Sequence, residues 1–284
     1  MKISFQHTYS QKYFSNSRNT PLLKTNNDNY CDVHPSAITF TSIKNIPNLF
    51  FIRMAQYKTN QIWHNKMCKS TEIISSMMQK DMDIKTIIHM AEYCVNIINP
   101  IGKIRKDFGV RKTGFNSIID LINVKTSRGY EYLQVYMDYL KKCPGIKVHI
   151  PKSNQEYSQA ITCEILAKAN SVTIKPCANN PFGIKTNLSL VEKAYKTLKN
   201  KKSPTRKEII DTAATIQWLI AQETPYKRGS DSVANLLTRS LLDSYGIKLS
   251  PLKKGVSCDF EAFYRDLDEY IKIYPTLFEN KLIP

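Results

Sequence analysis

From residue 61 onward, apolar residues recur mostly at helical spacing, which predicts a mainly helical protein. Over 61–80 the recurring positions are Ile62, Met67, Ile73, Ile74, Met77 and Met78. Over 84–98 they are Ile84, Ile87, Ile88, Ala91, Val95 and Ile98, and the spacing is stricter. That second helix should end before Asn99-Pro100, because proline disfavours helical backbone in the residue before it. A short helix is predicted over 115–123. A longer one is predicted over 129–142, with Tyr130, Leu133, Val135, Tyr136, Tyr139 and Leu140, ended by Pro144-Gly145. Another helix follows over 188–199. Ser203-Pro204 then offers a cap and a first-turn proline for a helix running to about Gln222. Its stripe is Ile209, Ala213, Ile216 and Ile220. The helix over 231–245 carries Val233, Ala234, Leu237, Leu241 and Leu242 and should stop at Gly246. The last segment, 259–273, reads as one acidic helix with Phe260, Phe263, Leu267 and Ile271 on one face.

Two short runs break the helical pattern. Residues 146–150 and 171–175 alternate between apolar and polar, as half-buried strands do. They flank a predicted helix over 157–169, so the fold class is mainly α with a small β element beside the helical body, an α+β arrangement. Residues 176–187 are rich in Pro, Gly and Asn and read as a loop. Residues 1–45 are rich in Ser, Asn, Thr and Tyr, with Asp28 and Asp32 their only acids. They read as a flexible leader ahead of one domain over 46–284. Such an acid-poor leader resembles a type III secretion signal and equally suits an ordinary disordered tail. No run of 18 apolar residues exists to form a transmembrane helix. The first residues lack the apolar core of a Sec-type signal.

Charge adds a partner class without choosing within it. The chain holds 41 Lys and Arg against 24 Asp and Glu, a formal +17, which attracts polyanions in general. Seven cations and no acid lie between Lys193 and Lys207, straddling a helix end and a turn. No aromatic residues interleave with arginines there, so a solvated face is the favoured reading and nucleic acid a disfavoured partner. Basic residues also punctuate 100–112, from Lys103 to Lys112. The seven cysteines form no CxxC pair, and neither they nor the five histidines show zinc spacing. Reduced thiols, a cytosolic site of action and no metal are expected. His89 lies beside an apolar stripe and reads as a core or boundary histidine in preference to a catalyst.

The most informative stretch is Gln222-Glu223-Thr224-Pro225-Tyr226-Lys227-Arg228-Gly229-Ser230-Asp231-Ser232. One amphipathic helix leads into it and another leads out. Ser230 can N-cap the second helix, leaving backbone N–H groups aimed at the loop. A helix N-terminus beside a glycine and a fixed cation suits phosphate. A routine capped corner is the plain alternative.

From Trp218 to Asp259 the run Trp218…Pro225-Tyr226-Lys227-Arg228-Gly229-Ser230…Arg239…Tyr245-Gly246-Ile247…Pro251…Gly255…Ser257-Cys258-Asp259 resembles the AvrB family of type III effectors. The match is continuous over about 204–275. Upstream, Tyr130-Glu131-Tyr132-Leu133 and Pro100-Ile101-x-Lys103-x-x-Lys106 are similar in patches. The resemblance implies a Fido fold, shared with Fic proteins. It implies a secreted bacterial effector that acts in the host cytoplasm and binds a nucleotide or nucleotide-sugar donor. It also implies transfer of a rhamnosyl-type group to a hydroxyl of a host protein, and leaves room for a secretion chaperone on the N-terminal leader. By the same resemblance, Arg228 and Asp259 are the catalytic candidates. Arg228, Gly229, Ser230, Asp231 and Lys103 hold the nucleotide phosphates, and Asn99, Lys185 and Tyr226 face the target. Lys185 is the residue nearest to a family histidine that has no clear match in this chain.

Laid over the Fic motif, Pro225, Tyr226, Lys227 and Gly229 keep the pattern. Thr224 stands where the general-base histidine would be, Arg228 where the acid would be, and Ser232 where the phosphate-binding arginine would be. Threonine has no proton affinity near neutral pH, so Fic-type nucleotidyl transfer is disfavoured. Glycosyl transfer needs the leaving diphosphate stabilised and a carboxylate near the sugar or the acceptor proton. Arg228 with the 229–232 N–H groups suits the first task and Asp259 the second. A helix-capping role for Asp259 stays open, as does a salt-bridging role for Arg228. Two other function classes also stay open: a catalytically inactive module that binds a host protein, and nucleic-acid binding.

Overall fold

Helices carry the architecture, and their order follows the apolar stripes. The computed structural model describes residues 61–97, 119–120, 147–149, 163–168, 171–176, 181–226, 229–248, 250–253, 256, 258–263 and 265–282. In the strands, at 61–63, 181–187 and 260, it describes the backbone alone. The helices are α1 (Gln61–Gln79), α2 (Ile84–Ile97), α3 (Pro181–Lys199), α4 (Arg206–Glu223), α5 (Ser230–Ser244), α6 (Cys258–Phe263) and α7 (Leu267–Ile273). A 3-10 turn, Tyr274–Leu277, follows α7 directly. The protein is mainly α. Among the described residues, no helix is long and apolar enough to cross a membrane.

The centre is the α4–α5 hairpin. One flank of α4 packs on α3 and the other on α6 and α7, while α5 packs on α1 and α2. Both central helices are buried over most of their circumference, with Trp218, Leu219, Ala213, Val233, Leu236 and Leu241 fully enclosed. Burying each such large apolar side chain contributes about 1.5–3 kcal/mol to the stability of this pair. Trp218 donates its indole N–H to the Arg265 carbonyl at 2.9 Å, and Gln222 donates to the Ala262 carbonyl at 2.6 Å. Those two bonds fasten α6 and the turn after it onto α4.

Helix ends depart from the sequence expectation in instructive ways. The expected start at Ser203-Pro204 moves to Thr205, whose hydroxyl accepts from the Glu208 N–H while the Glu208 carboxylate accepts from the Thr205 N–H. That reciprocal box satisfies two donors and outcompetes a lone serine cap. The end of α5 follows expectation. Gly246 takes φ 69°, its N–H reaches the Asp243 carbonyl at 2.8 Å, and the Ile247 N–H reaches Leu242 at 3.0 Å. This is a Schellman closure, for which glycine carries no Cβ penalty. Residues 181–187, expected as loop, form the start of α3, because Pro181 stands at a first-turn position where its missing N–H costs nothing. The expected single helix over 259–273 is broken into α6 and α7, with extended backbone at Asp266 between them. The break turns Phe263 and Leu267 both inward.

Strands also replace two predicted helical stretches. Cys163–Lys168 is extended and pairs antiparallel with Ser171–Pro176, within the expected 157–169 helix. Ile119–Asp120, within the expected 115–123 helix, pairs with the same Ser171–Pro176 strand. Lys147–His149 pairs on the other side of Cys163–Lys168. The β-branched alternation at 171–176 offers a pairing edge that a helix over 163–168 would leave unused. The expectations for 1–45, 100–112 and 129–142 lie outside the described residues.

Candidate functional site at the α4–α5 corner

The corner begins where α4 unwinds. Thr224 closes the helix in the left-handed conformation, φ 40° and ψ 61°, with its N–H on the Ile220 carbonyl at 2.8 Å. For a β-branched residue this conformation costs about 1–3 kcal/mol, supplied here by the buried helices on either side. Thr224 is itself buried. Pro225 then prevents the helix from resuming. Tyr226 follows with 2% exposure. Its hydroxyl donates to Glu92 Oε1 on α2 at 2.7 Å, and burial first, then the Glu92 carboxylate, pushes its pKa well above the usual phenol range.

Helix α5 starts differently from the expectation. Gly229 is the N-cap, at φ 87° and without any side-chain cap bond. The first helical bond runs from the Val233 N–H to the Gly229 carbonyl at 2.9 Å. Ser230 is therefore the first helical residue and not the cap. Its hydroxyl turns back into the loop, accepting from the Tyr226 N–H at 3.1 Å and donating to the Tyr226 carbonyl at 3.3 Å. The left-handed glycine reverses the chain one residue earlier than a serine cap would, and this leaves the Ser230 hydroxyl facing Tyr226. Gly229, as N-cap, supplies no side-chain bond to this positive end of the helix dipole.

Asp231 occupies the first turn, where its carboxylate favours the dipole. It accepts from Asn235 Nδ2 at 2.8 Å, and the same amide reaches the Asp231 carbonyl at 2.9 Å. Asp259 lies part-exposed in the first turn of α6. Cys258, the first residue of α6, is a buried free thiol whose pKa burial drives far up. The charges of Asp231 and Asp259 raise it further, and Arg239 opposes them. Arg239 is buried in mid-α5, donates to the Ser250 carbonyl at 3.2 Å and lies over the Phe278 ring at 5.4 Å. It secures the turn after α5 and the C-terminal segment beneath the site.

The structure thus gathers Tyr226, Gly229, Ser230 and Asp231 at one corner, and places Asp259 in the first turn of α6, which packs on α5. Tyr226, expected to face a target, is enclosed and serves the corner from inside. Lys185 is on α3, described in its backbone alone. Arg228, Lys103 and Asn99 lie outside the described residues. His89 is not a core residue: its side chain is 77% exposed, with Nδ1 3.1 Å from Glu92 Oε2, and the Glu92 hydrogen bond raises its pKa. Sequence reasoning passed over Glu92 and gave Arg239 no role beyond the resemblance. The spacing of His89 and Glu92, three apart on one helix, was the available signal for the first. For the second it was a lone guanidinium among Leu236, Leu237, Leu241 and Leu242. Among the described residues, no group of three or more His, Cys, Asp or Glu could hold a metal ion.

In the expected basic run, several cations are paired within the protein. Lys199 meets Asp81, Lys207 meets Asp211, and Lys201 reaches Glu208 at 2.5 Å.

Residues 157–281 match the AvrB_AvrC family model, described as avirulence protein. The matched stretch includes α3 through α7 and the whole α4–α5 corner. The AvrB resemblance seen in the residues is borne out there, and the match supports an effector role with a host target. No curated protein sequence matches the chain.

Proposed function

With its C-terminal stretch similar to AvrB and AvrC avirulence proteins, we propose that this protein is a secreted type III effector acting inside the host cell. It binds a nucleotide or nucleotide-sugar at the α4–α5 corner and transfers the sugar, a rhamnosyl-type group, to a hydroxyl of a host protein. The observation that carries this reading is the start of α5: a left-handed glycine and no side-chain cap, next in sequence to Arg228. Backbone N–H groups at a helix start and a guanidinium together match a diphosphate. In the transfer, the acceptor oxygen bonds to the anomeric carbon as the bond to the diphosphate breaks, and the nucleoside diphosphate leaves. Arg228 and the α5 N–H groups stabilise the charge gathering on that leaving group. Asp259 takes the acceptor proton. Lys103 adds a second cation, and Asn99 and Lys185 face the target.

Thr224 bears on the chemistry as well. At the position of the Fic histidine it is buried and spent as the end of α4, so nucleotidyl transfer of the Fic type lacks its base. The test is transfer itself. The full chain, UDP-rhamnose and host-cell lysate should yield a deoxyhexose mass on a protein hydroxyl. Asp259→Asn should lose the product by at least about 100-fold, the scale of general-base catalysis, while still binding ADP. Equal product from Asp259→Asn would remove Asp259 from the chemistry. No product from wild type, with ADP still bound, would favour an inactive module that docks on a host protein.

A further inference from the structure

The cations around the α3–α4 connection divide into two groups that the sequence does not distinguish. Seven lie between Lys193 and Lys207, with no acid among them. Three of these turn onto acids outside the run: Lys199 onto Asp81, Lys201 onto Glu208 and Lys207 onto Asp211. Lys193, Lys196 and Lys202 are exposed, and among the described residues no acid pairs with any of them. Lys193 and Lys196 stand one turn apart on the outer face of α3, while Val191, Ala194, Tyr195 and Leu198 are buried. Lys202 follows on the turn, where Asn200 through Ser203 are all exposed. Tyr195, the one aromatic residue between Lys193 and Lys207, is 3% exposed. Helices α3 and α4 pack side by side, so their short connection is the projecting end of a helical hairpin.

We propose that this end of the hairpin is a docking surface for an anionic lipid bilayer, with Lys193, Lys196 and Lys202 as its contact residues. Lysine is a strongly hydrated point charge without the planar fork by which arginine grips a single phosphate. It suits a surface of many headgroups, where negative charge is offered at every position. With its tyrosine buried, the strip has no ring on which bases could stack, as single-stranded nucleic acid requires. A folded acidic protein would have to immobilise three long side chains, at an entropic cost that a fluid bilayer does not impose. The paired lysines contribute differently. They neutralise Asp81, Glu208 and Asp211, whose bare carboxylates would repel the headgroups. Each contacting lysine raises binding about fivefold, so the three together give about 100-fold, a reversible attachment. The α4 start lies about 27 Å along the helix from the α4–α5 corner, so the bilayer and a ligand at the corner do not compete for space. The surface stands independently of the nucleotide reading.

The experiment is sedimentation of the full chain with vesicles of phosphatidylcholine, with and without phosphatidylserine, at about 0.1 M salt. Wild type should bind the anionic vesicles and not the neutral ones, and should let go as salt is raised. The triple variant Lys193→Gln, Lys196→Gln, Lys202→Gln should lose about 100-fold in partitioning. Lysine-to-arginine changes at the same three positions should keep it. A second triple variant, Lys253→Gln, Lys272→Gln, Lys281→Gln, removes the same net charge from exposed residues elsewhere and should bind like wild type. All six positions are exposed, so the variants should melt with wild type, which circular dichroism checks. No binding of wild type to anionic vesicles would overturn the proposal. So would equal losses in the two glutamine triples, which would assign the attraction to net charge alone. Tighter binding to DNA than to vesicles at equal phosphate, lost in the first triple, would give the surface to nucleic acid and overturn it as well.

Discussion

Two helices that lie side by side begin in opposite ways. Helix α4 starts with a complete capping box: Thr205 and Glu208 satisfy each other's N–H groups, and Lys201 closes on the Glu208 carboxylate. Helix α5 starts at a left-handed glycine with no side-chain cap, and the nearest hydroxyl, Ser230, is turned the other way. A side-chain cap contributes about 1 kcal/mol, so the α5 start forgoes stability that the α4 start takes. The α4 start is an exposed surface feature; the α5 start follows the buried Tyr226 and carries Asp231 in its first turn. A helix that needs only to be stable closes its own donors. The proposed function gives the other start a reason for lacking a side-chain cap.

The largest effect should come from breaking the open start. In Gly229→Val the left-handed φ of 87° becomes strained, at about 1–2 kcal/mol. Urea denaturation should show that loss, and ADP binding should fall by at least about tenfold, beyond what stability alone explains. Retained affinity would separate the α5 start from any anion site. Thr205→Ala breaks the closed start and should cost about 1 kcal/mol in the same denaturation. Its ADP affinity should equal that of wild type, and a loss of affinity would erase the contrast between the two starts.

A smaller, pH-dependent effect sharpens the comparison. The Lys201 hydrogen bond, first, and then the Thr205 bonds hold the Glu208 pKa down at about 2, from the ordinary 4.5. A carboxylate with a lowered folded-state pKa stabilises above its unfolded pKa and loses that contribution as pH falls through the folded one. The stability gap between wild type and Glu208→Ala should therefore be full at pH 7 and shrink between pH 4.5 and about 2. A gap independent of pH would mean that the box works without its charge.

The helical body was legible because its stripes are long and its burial one-sided. Helices α1, α2, α4 and α5 each lie within a few residues of the expected span. The strand at Cys163–Lys168 was not legible, because Cys163, Ile165, Leu166 and Ala167 fit either period and pairing with a distant strand decides between them. The corner was legible as a place and not as a geometry. Gly229 and Ser230 were both marked, but which of them caps depends on one backbone dihedral. Tyr226 was taken for a surface contact because nothing local shows that its hydroxyl finds Glu92 on α2. His89 was drawn inward by its apolar neighbours, yet it stands on the exposed side of the same turn.

The most direct test of nucleotide binding at the corner is a thermal-shift comparison of the full wild-type chain and Arg228→Ala against ADP, UDP-rhamnose and other nucleotide-sugars. A ligand present at 100 times its Kd should stabilise the fold by about 2.7 kcal/mol, well within reach of a midpoint measurement. The account predicts that at least one of these raises the wild-type midpoint and leaves that of a folded Arg228→Ala unmoved. An equal rise in both proteins, or none in wild type, would contradict it.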